Sequence, residues 1–245
     1  MIRVKKLSFS YLKGMKVLDD IDLNIGTGEC LAFIGPSGVG KSTLLKCLNG
    51  LLKPASGSIQ INQKEIIGIS EKEIQKVRVQ LGMVFQDFNL IQRISAIDNV
   101  LTGRLPHIPF YRKYIYGFTF SEQDFQISLD SLKRVQMEKF AFRRVDNLSG
   151  GQQQRIGVAR VLAQEPKIIL ADEPVSNLDP KIKIEIMELL ISICKLKSLT
   201  LLISMHEVEL VKRFVLRVVG LRDGQIIFDN IPNKLTKDKY VQIYH

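Results

Sequence analysis

The clearest chemical signature in the sequence is a glycine-rich loop, GPSGVGKS, at residues 35–42. It matches the pattern G-x-x-x-x-G-K-[ST] and lies between an apolar run at 30–34, which predicts a buried strand, and a helix predicted at 41–48. In that context the glycines let backbone N–H groups converge on phosphate oxygens, and the helix N-terminus adds partial positive charge. The loop therefore predicts a site for the phosphates of a nucleotide, although it does not indicate which reaction follows.

The side chains of the same loop predict how the phosphates are held. Lys41 is expected to reach the β- and γ-phosphates, Ser42 to bind Mg²⁺, and Thr43 to add a further phosphate contact. The complete set of nucleotide-binding residues predicted in this loop is Gly35, Pro36, Ser37, Gly38, Val39, Gly40, Lys41, Ser42 and Thr43.

Two carboxylates follow the apolar stretch at 168–171, which predicts a strand. Asp172, at the end of that strand, is placed to hold Mg²⁺ directly or through water. Glu173 follows it and is placed to accept a proton from an attacking water. A strand that ends in a solvated acidic turn is the alternative, and the phosphate loop upstream favours the catalytic interpretation.

A second anion-binding element is predicted at 148–152, with the sequence LSGGQ. Ser149 is expected to cap a helix that runs to about Ala163, and Gly150 and Gly151 leave backbone N–H groups bare at its positive end. One chain needs only one phosphate loop per nucleotide, so a second site suggests that the nucleotide of another copy docks here. An ordinary serine-capped helix start is the alternative.

Taken together, LSGGQ, the preceding GPSGVGKS and the following ILADEP resemble the ATP-binding subunits of ABC transporters. The resemblance extends from about Tyr11 to about Asp229 and implies ATP and Mg²⁺ as cofactors and hydrolysis of ATP. It also implies a head-to-tail dimer of two copies, in which each ATP lies between 35–43 of one copy and a signature segment of the other. The implied residues of that segment are Ser149, Gly150, Gly151 and Gln152.

The resemblance assigns roles to residues outside these motifs. Tyr11 matches an aromatic residue that stacks on adenine, Gln86 a glutamine that senses Mg²⁺ and the γ-phosphate, and His206 a switch histidine on the γ-phosphate. Asp179 ends the segment SNLD, which matches the loop that crosses to the partner subunit. The implied catalytic residues are Glu173, His206, Gln86 and Lys41, and the implied metal-binding residues are Ser42, Gln86 and Asp172.

Within this family, the chain resembles the subunits that energise phosphonate import. The similar segments are GRL at 103–105, PFYR at 109–112, 118–122, 148–160, 171–180 and 206–210. The sequence departs from that group at 215–217, where Val-Leu-Arg replaces an Ala-Asp-Arg-like step. The resemblance implies integral membrane permease subunits and an external substrate-binding protein, which would recognise phosphonate or a related oxyanion such as phosphate or phosphite.

Composition limits where such a protein would work. The chain has 245 residues, 45% of them hydrophobic and 24% charged, which is typical of a globular protein and not of a disordered one. No apolar run reaches the length of about eighteen residues needed to cross a bilayer, and no apolar segment or cleavage site follows the basic N-terminus. The three cysteines show no metal-binding spacing. We expect a peripheral protein at the cytoplasmic face of the cell membrane.

Rival functions remain within the same superfamily. The net charge of +10 permits a DNA-associated ATPase, but such proteins need a long coiled-coil insertion between the phosphate loop and LSGGQ. These motifs are about a hundred residues apart and no heptad run separates them, so no nucleic-acid partner is expected. A translation-factor ATPase of this superfamily would carry two tandem cassettes, whereas this sequence shows one set of motifs. An importer of another small solute, or an ATPase for lipoprotein release or cell division, stays open, and only the segment 103–120 argues against it.

The elements that must position these residues alternate between strand and helix, which predicts an α/β fold with parallel strands. The resemblance implies a P-loop NTPase (RecA-like) core with a mixed sheet, an antiparallel β subdomain and an inserted α-helical subdomain. We expect one domain over 1–245, with the core at 1–86 and 165–245 and the helical subdomain at about 87–164. Further strands are predicted at 2–9, 17–25, 58–62, 81–85, 167–171, 199–204, 215–221 and 225–229, and further helices from caps at Ser70 and Ser121 and at 181–196.

Overall fold

Two β-sheets of different strand pattern organise the protein in a computed structural model, which describes residues 1–12, 14–108 and 120–244. The strands are Ile2–Leu12 (β1), Met15–Ile25 (β2), Cys30–Ile34 (β3), Ser56–Ile61 (β4), Lys64–Glu65 (β5), Leu81–Val84 (β6), Ile168–Asp172 (β7), Thr200–Ser204 (β8), Arg217–Arg222 (β9) and Gln225–Asn230 (β10). The α-helices are Lys41–Leu48 (α1), Glu71–Arg78 (α2), Ala96–Leu101 (α3), Glu122–Arg134 (α4), Gly150–Ala163 (α5), Pro180–Leu196 (α6), Val208–Phe214 (α7) and Lys237–Tyr244 (α8). Short 3-10 helices occupy Thr102–His107, Glu138–Phe140, Val145–Asn147 and Pro232–Lys234.

The larger sheet has the strand order β10-β9-β3-β8-β7-β6. All neighbouring pairs from β9 to β6 are parallel, and only β10 runs antiparallel to its neighbour. The strands β7 and β8 are buried along their whole length, as expected for a parallel sheet covered on both faces. This mixed sheet confirms the predicted α/β core.

The smaller sheet is antiparallel, with the order β2-β1-β4-β5. Ile2 pairs with Ile25 and Val4 with Leu23, and these inward side chains are buried. They share an apolar cluster with Leu31 and other residues on one face of the larger sheet. The predicted antiparallel β layer is therefore present and covers that face.

The other face of the larger sheet packs against helices. Its side chains Ala32 and Ile34 belong to a second apolar cluster that includes Leu132 of α4 and Ile156 of α5. Helices α3, α4 and α5 pack against one another in the region where a helical insertion was predicted. The exact division of the chain into core and helical subdomain stays a prediction.

Several predicted elements differ in detail from the structure. The capping boxes at Ser70 and Ser121 are both present, each with the residue three positions later. The late strand begins at Arg217 and not at Val215, because Val215 still bonds back to Val211 and ends α7. The prediction did not include α8 or the short strand β5.

Two findings bear on the sequence interpretation as a whole. The segment PFYR at 109–112 and Phe118, which contribute to the resemblance to phosphonate-import subunits, lie outside the described residues. Among the helices in the described ranges, none combines the length and apolar character that crossing a bilayer requires.

Candidate active site

The ends of three adjacent parallel strands create the site. Strand β3 pairs with β8, and β8 pairs with β7, so that Asp172 lies beside Ser204 at the same edge of the sheet. The chain leaves β3 into the glycine-rich loop, β7 into Glu173, and β8 into His206. Because ligands of open α/β sheets bind beyond the carboxyl ends of the strands, this edge is the expected position for chemistry.

The glycine-rich loop depends on glycine at two crowded positions. Gly35 has a φ of +146°, and a Cβ added there would lie 2.4 Å from the carbonyl oxygen of Leu221. Gly40 has a φ of +110°, and its Cβ would lie 2.8 Å from the carbonyl oxygen of Val17. Gly40 also precedes α1 with no side-chain cap, which leaves the first N–H groups of that helix available to an anion.

Lys41 lies beneath this loop with only 3% of its surface exposed. Its Nζ donates hydrogen bonds to the carbonyl oxygens of Gly35 and Pro36, both at 2.9 Å. Burial lowers the pKa of Lys41, and the nearby carboxylates of Glu173 and Asp172 oppose that shift. The ammonium group is therefore held inside the loop, where a phosphate would meet it.

Asp172 is the point at which two hydroxyl groups converge. Its Oδ1 accepts hydrogen bonds from Ser42 Oγ at 2.6 Å and from Ser204 Oγ at 2.7 Å. Ser204 Oγ in turn accepts the backbone N–H of Glu173 at 2.9 Å. Sequence reasoning did not assign a role to Ser204, because a serine at the end of an apolar strand carries no distinctive signal.

The oxygen atoms of Ser42 and Asp172 fit a magnesium ion. Mg²⁺ prefers oxygen ligands and is usually held by one or two carboxylates together with water and the phosphates of the substrate. No cluster of three or more His, Cys, Asp or Glu residues suited to a metal occurs in the part of the chain that the structure describes. The carboxylate of Asp172 and the hydroxyl of Ser42, completed by phosphate oxygens, match this usual magnesium site. They do not form a metal site built from protein ligands alone.

Glu173 and His206 are in direct contact. Glu173 has a φ of +45°, a left-handed conformation that is uncommon for residues other than glycine and clusters at active sites. Its Oε1 hydrogen-bonds His206 Nε2, and His206 Nδ1 lies 3.5 Å from Lys41 Nζ. A neutral imidazole protonated on Nε2 satisfies both contacts, since it donates to the carboxylate and accepts from the ammonium group.

A small cavity of about 30 Å³ lies beside this pair. Glu173, Ser176, Ser204 and His206 are among the residues that line it. Ser176 Oγ donates to the carbonyl oxygen of Glu173 at 3.1 Å and thereby supports the turn after β7. The volume of the cavity is large enough for one water molecule beside the Glu173 carboxylate.

Tyr11 and Gln86 occupy the rim of the same edge. Tyr11 is 59% exposed, its hydroxyl lies 3.2 Å from Thr43 Oγ1, and its ring meets Phe9 edge to face. One open ring face so close to the phosphate loop suits stacking on a base. Gln86 is exposed in the turn after β6, whose residue Val84 pairs with Ala171 just before Asp172.

The LSGGQ segment forms the predicted cap of α5. Ser149 Oγ accepts the N–H of Gln152 at 3.4 Å, and Gln152 Oε1 accepts the N–H of Ser149 at 2.9 Å. Since Gln152 is capped in this way, the bare N–H groups are those of Gly150 and Gly151. A Cβ on Gly151 would lie 2.8 Å from Ile182 Cγ2, so glycine also allows α5 to approach α6.

The structure does not join the LSGGQ segment to the phosphate loop of the same chain. Within the described ranges no hydrogen bond or ion pair connects 149–152 with 35–43. Asp179 precedes α6 as an exposed residue, and its side chain makes no capping bond there. Both groups of atoms remain available to a second molecule.

Comparison with known proteins finds a matching family model and many similar sequences. A family model described as ABC transporter matches residues 18–176. The phosphonates import ATP-binding protein PhnC of Nitratidesulfovibrio vulgaris is 42% identical over 98% of this chain and 90% of its own length. PhnC 2 of Trichodesmium erythraeum is 44% identical over 97% of this chain and 90% of its own length.

Solved structures agree with this grouping. The dimeric ATP-binding cassette MJ0796, in a post-hydrolysis state bound to ADP and Pi, matches with a TM-score of 0.81 and 34% identity, over 95% of this chain and 99% of that one. The protein cbiO1 from Clostridium perfringens, part of the transporter complex cbiONQ, matches with a TM-score of 0.84 and 33% identity, over 98% of this chain and 92% of that one.

Proposed function

We propose, from the premise that this chain belongs to the ABC transporter family, that it is the ATP-hydrolysing subunit of an importer for phosphonates or related phosphorus oxyanions. The observation that carries the ATPase activity is the meeting of Lys41, Asp172, Glu173 and His206 at one sheet edge beneath the phosphate loop. The substrate class rests on the names of relatives that are about 40% identical over nearly the whole chain.

Binding of ATP is assigned to the loop 35–43 and to Tyr11. The N–H groups at the start of α1 and the Lys41 ammonium face the phosphates, and the exposed ring of Tyr11 stacks on adenine. Ser42 and Asp172 would hold Mg²⁺, with Gln86 at the rim of the same edge. When bound, the ion neutralises charge on the β- and γ-phosphate oxygens.

Hydrolysis is assigned to Glu173 and His206. Glu173 accepts a proton from the attacking water, whose oxygen bonds to the γ-phosphorus as the bond from that phosphorus to ADP breaks. His206 Nε2 now donates to Glu173, so a γ-phosphate that takes this N–H frees the carboxylate to act as a base. Lys41 stabilises the charge that develops on the transferred phosphoryl group.

A second copy of the chain completes the site. The N–H groups of Gly150 and Gly151 and the side chain of Asp179 do not bond to the phosphate loop of their own chain. In a head-to-tail dimer they lie against the ATP held by the other copy, where a helix N-terminus favours negative charge. Closing of the two copies on ATP, and opening after hydrolysis, provides the motion that a permease uses.

The permease contacts the chain away from the ATP site. An open groove of about 1020 Å³ lies between α2 and the 3-10 helix Thr102–His107. Its lining combines Lys72, Lys76 and Arg78 with the apolar residues Leu105 and Pro106. This chemistry suits an amphipathic, acidic segment of a permease, which would hold the chain at the cytoplasmic face of the membrane. The external binding protein acts through the permease, and no nucleic acid is involved.

Reconstitution tests this function. The tagged chain is purified from membranes with its partners, and ATP turnover of the complex in liposomes is measured with and without a phosphonate-loaded binding protein. We expect recovery of a multi-spanning permease and stimulated turnover, and the Lys41→Ala complex is the control for background hydrolysis. Recovery of DNA or of a cell-division complex in place of a permease would contradict transport. Stimulation by another solute alone would contradict the substrate class.

A further inference from the structure

Helix α8 is anchored at the base of the phosphate loop. Ile243 is fully buried, and a Cβ on Gly220 would lie 2.6 Å from Ile243 Cδ1, so glycine lets the helix sit directly on β9. Gly220 pairs with Ile34, the residue just before Gly35. Arg222 donates to the carbonyl oxygen of Gln242 at 2.5 Å and fixes the same turn of the helix.

This anchoring brings one hydroxyl between two functional loops. The Oη of half-buried Tyr244 donates to the carbonyl oxygen of His206 at 3.4 Å and lies near the backbone N–H of Gly35. Burial raises the pKa of Tyr244 to about 12, and the Gly35 N–H partly opposes that shift. The hydroxyl therefore keeps its proton near neutral pH and remains a donor to His206.

Two contacts support the backbone at His206. Tyr244 contacts its carbonyl oxygen, and the next residue, Glu207, forms an ion pair with Lys183 on α6. The imidazole of His206 meets Glu173 through Nε2 and Lys41 through Nδ1. Loss of one support would let the imidazole move relative to both partners.

We propose that Tyr244 is a positioning residue for ATP hydrolysis, which fixes the His206 backbone relative to the start of the phosphate loop. The inference rests on the proposed function, in which His206 acts at the γ-phosphate. Displacement of a catalytic group by about 1 Å can lower the rate up to about a hundredfold. In the proposed function, ATP affinity depends on the phosphate loop and Tyr11. Loss of the Tyr244 hydroxyl should therefore lower kcat and leave KM for ATP nearly unchanged.

Tyr244→Phe removes only the hydroxyl and leaves the aromatic ring in place. We expect kcat for ATP hydrolysis to fall about tenfold, while KM for ATP changes by less than about twofold. Tyr240→Phe is the matched control, because Tyr240 lies on the same helix and stacks on Tyr244 at a centroid distance of 4.6 Å. An unchanged kcat in Tyr244→Phe, or an equal loss in Tyr240→Phe, would overturn the proposal.

A double-mutant comparison separates positioning from general destabilisation. If Tyr244 acts through His206, adding Tyr244→Phe to His206→Ala should lower kcat no further. A full additional tenfold loss would show that the tyrosine acts independently of His206.

A nucleotide-free readout distinguishes failure of the inference from failure of the proposed function. A wild-type chain without ATPase activity, or full activity in His206→Ala, would contradict the proposed function. In that case amide hydrogen exchange still tests the contact. Tyr244→Phe should speed exchange in a peptide that covers 205–207, with unchanged exchange in 168–172, and unchanged exchange at 205–207 would overturn the contact.

Discussion

At the scale of single residues, Asp172 gives the site its order before any ligand arrives. One carboxylate oxygen of Asp172 accepts hydrogen bonds from Ser42 and Ser204. The hydroxyl of Ser204 also accepts the backbone N–H of Glu173 and so fixes its position. The proposed metal-binding oxygens and the proposed base therefore share one hydrogen-bond chain that joins helix α1 to strands β7 and β8. Such preorganisation reduces the rearrangement needed when the reaction begins.

The buried ammonium of Lys41 gives the first prediction at this scale. Lys41→Ala removes a charged donor from the phosphate site, and we expect ATP affinity to fall by about 10- to 100-fold. Lys46→Ala, on the last turn of the same helix, is the control and should bind ATP normally. Titration with a fluorescent ATP analogue measures both. Retention of full affinity in Lys41→Ala would refute the assignment of the phosphate loop.

The exposed ring of Tyr11 gives a second prediction. Tyr11→Ala removes a stacking surface, and the loss of about 1–3 kcal/mol per stacked base should weaken ATP binding by about 5- to 150-fold. Tyr11→Phe keeps the ring and loses only the contact with Thr43, so it should bind within about threefold of wild type. Equal losses in the two variants would assign the effect to the hydroxyl and contradict stacking.

At the scale of elements, sequence patterns identified most strands and helices but not their adjacency. The buried runs of β3, β7 and β8 and the caps of α2, α4 and α5 all follow from local signals. The pairing of Asp172 with Ser204 depends on the register of β7 and β8, which no local pattern encodes. Helix α8 was also missed. Its packing on β9 depends on Gly220, which is distant from the helix in the sequence pattern.

The cap of α5 provides a prediction that separates structure from function. Ser149→Ala and Ser121→Ala each remove one capping box, at a cost of about 0.5–2 kcal/mol of folding free energy. Calorimetry should show that both variants melt a few degrees below wild type. Only Ser149→Ala should also weaken dimer formation with ATP. Equal dimerisation of the two variants would indicate that Ser149 has a structural role alone.

At the scale of the whole molecule, the two proposed halves of the ATP site do not meet within one chain. The glycine-rich loop and the proposed catalytic carboxylate lie at one sheet edge, whereas the start of α5 makes no hydrogen bond to that loop in the described residues. The three motifs in order identified the family from the sequence. The dimer itself remains a proposal, supported by the dimeric state of the related cassette MJ0796.

Turnover by the whole molecule should depend on Glu173. Glu173→Gln keeps the size of the side chain but removes its basicity, and we expect ATP hydrolysis to fall by about 10²- to 10⁴-fold with ATP binding retained. A phosphate-release assay measures the first quantity and ATP titration the second. Unimpaired turnover would remove Glu173 from the role of general base.

The most direct test of the shared site is the molar mass of Glu173→Gln in the presence of ATP and Mg²⁺, measured by light scattering after size exclusion. Because this variant binds ATP without hydrolysing it, two chains of 27.8 kDa should remain closed on the nucleotide and elute with twice that mass. The same sample with ADP should return to the mass of one chain. The mass of a single chain at saturating ATP would contradict an ATP site shared between two copies.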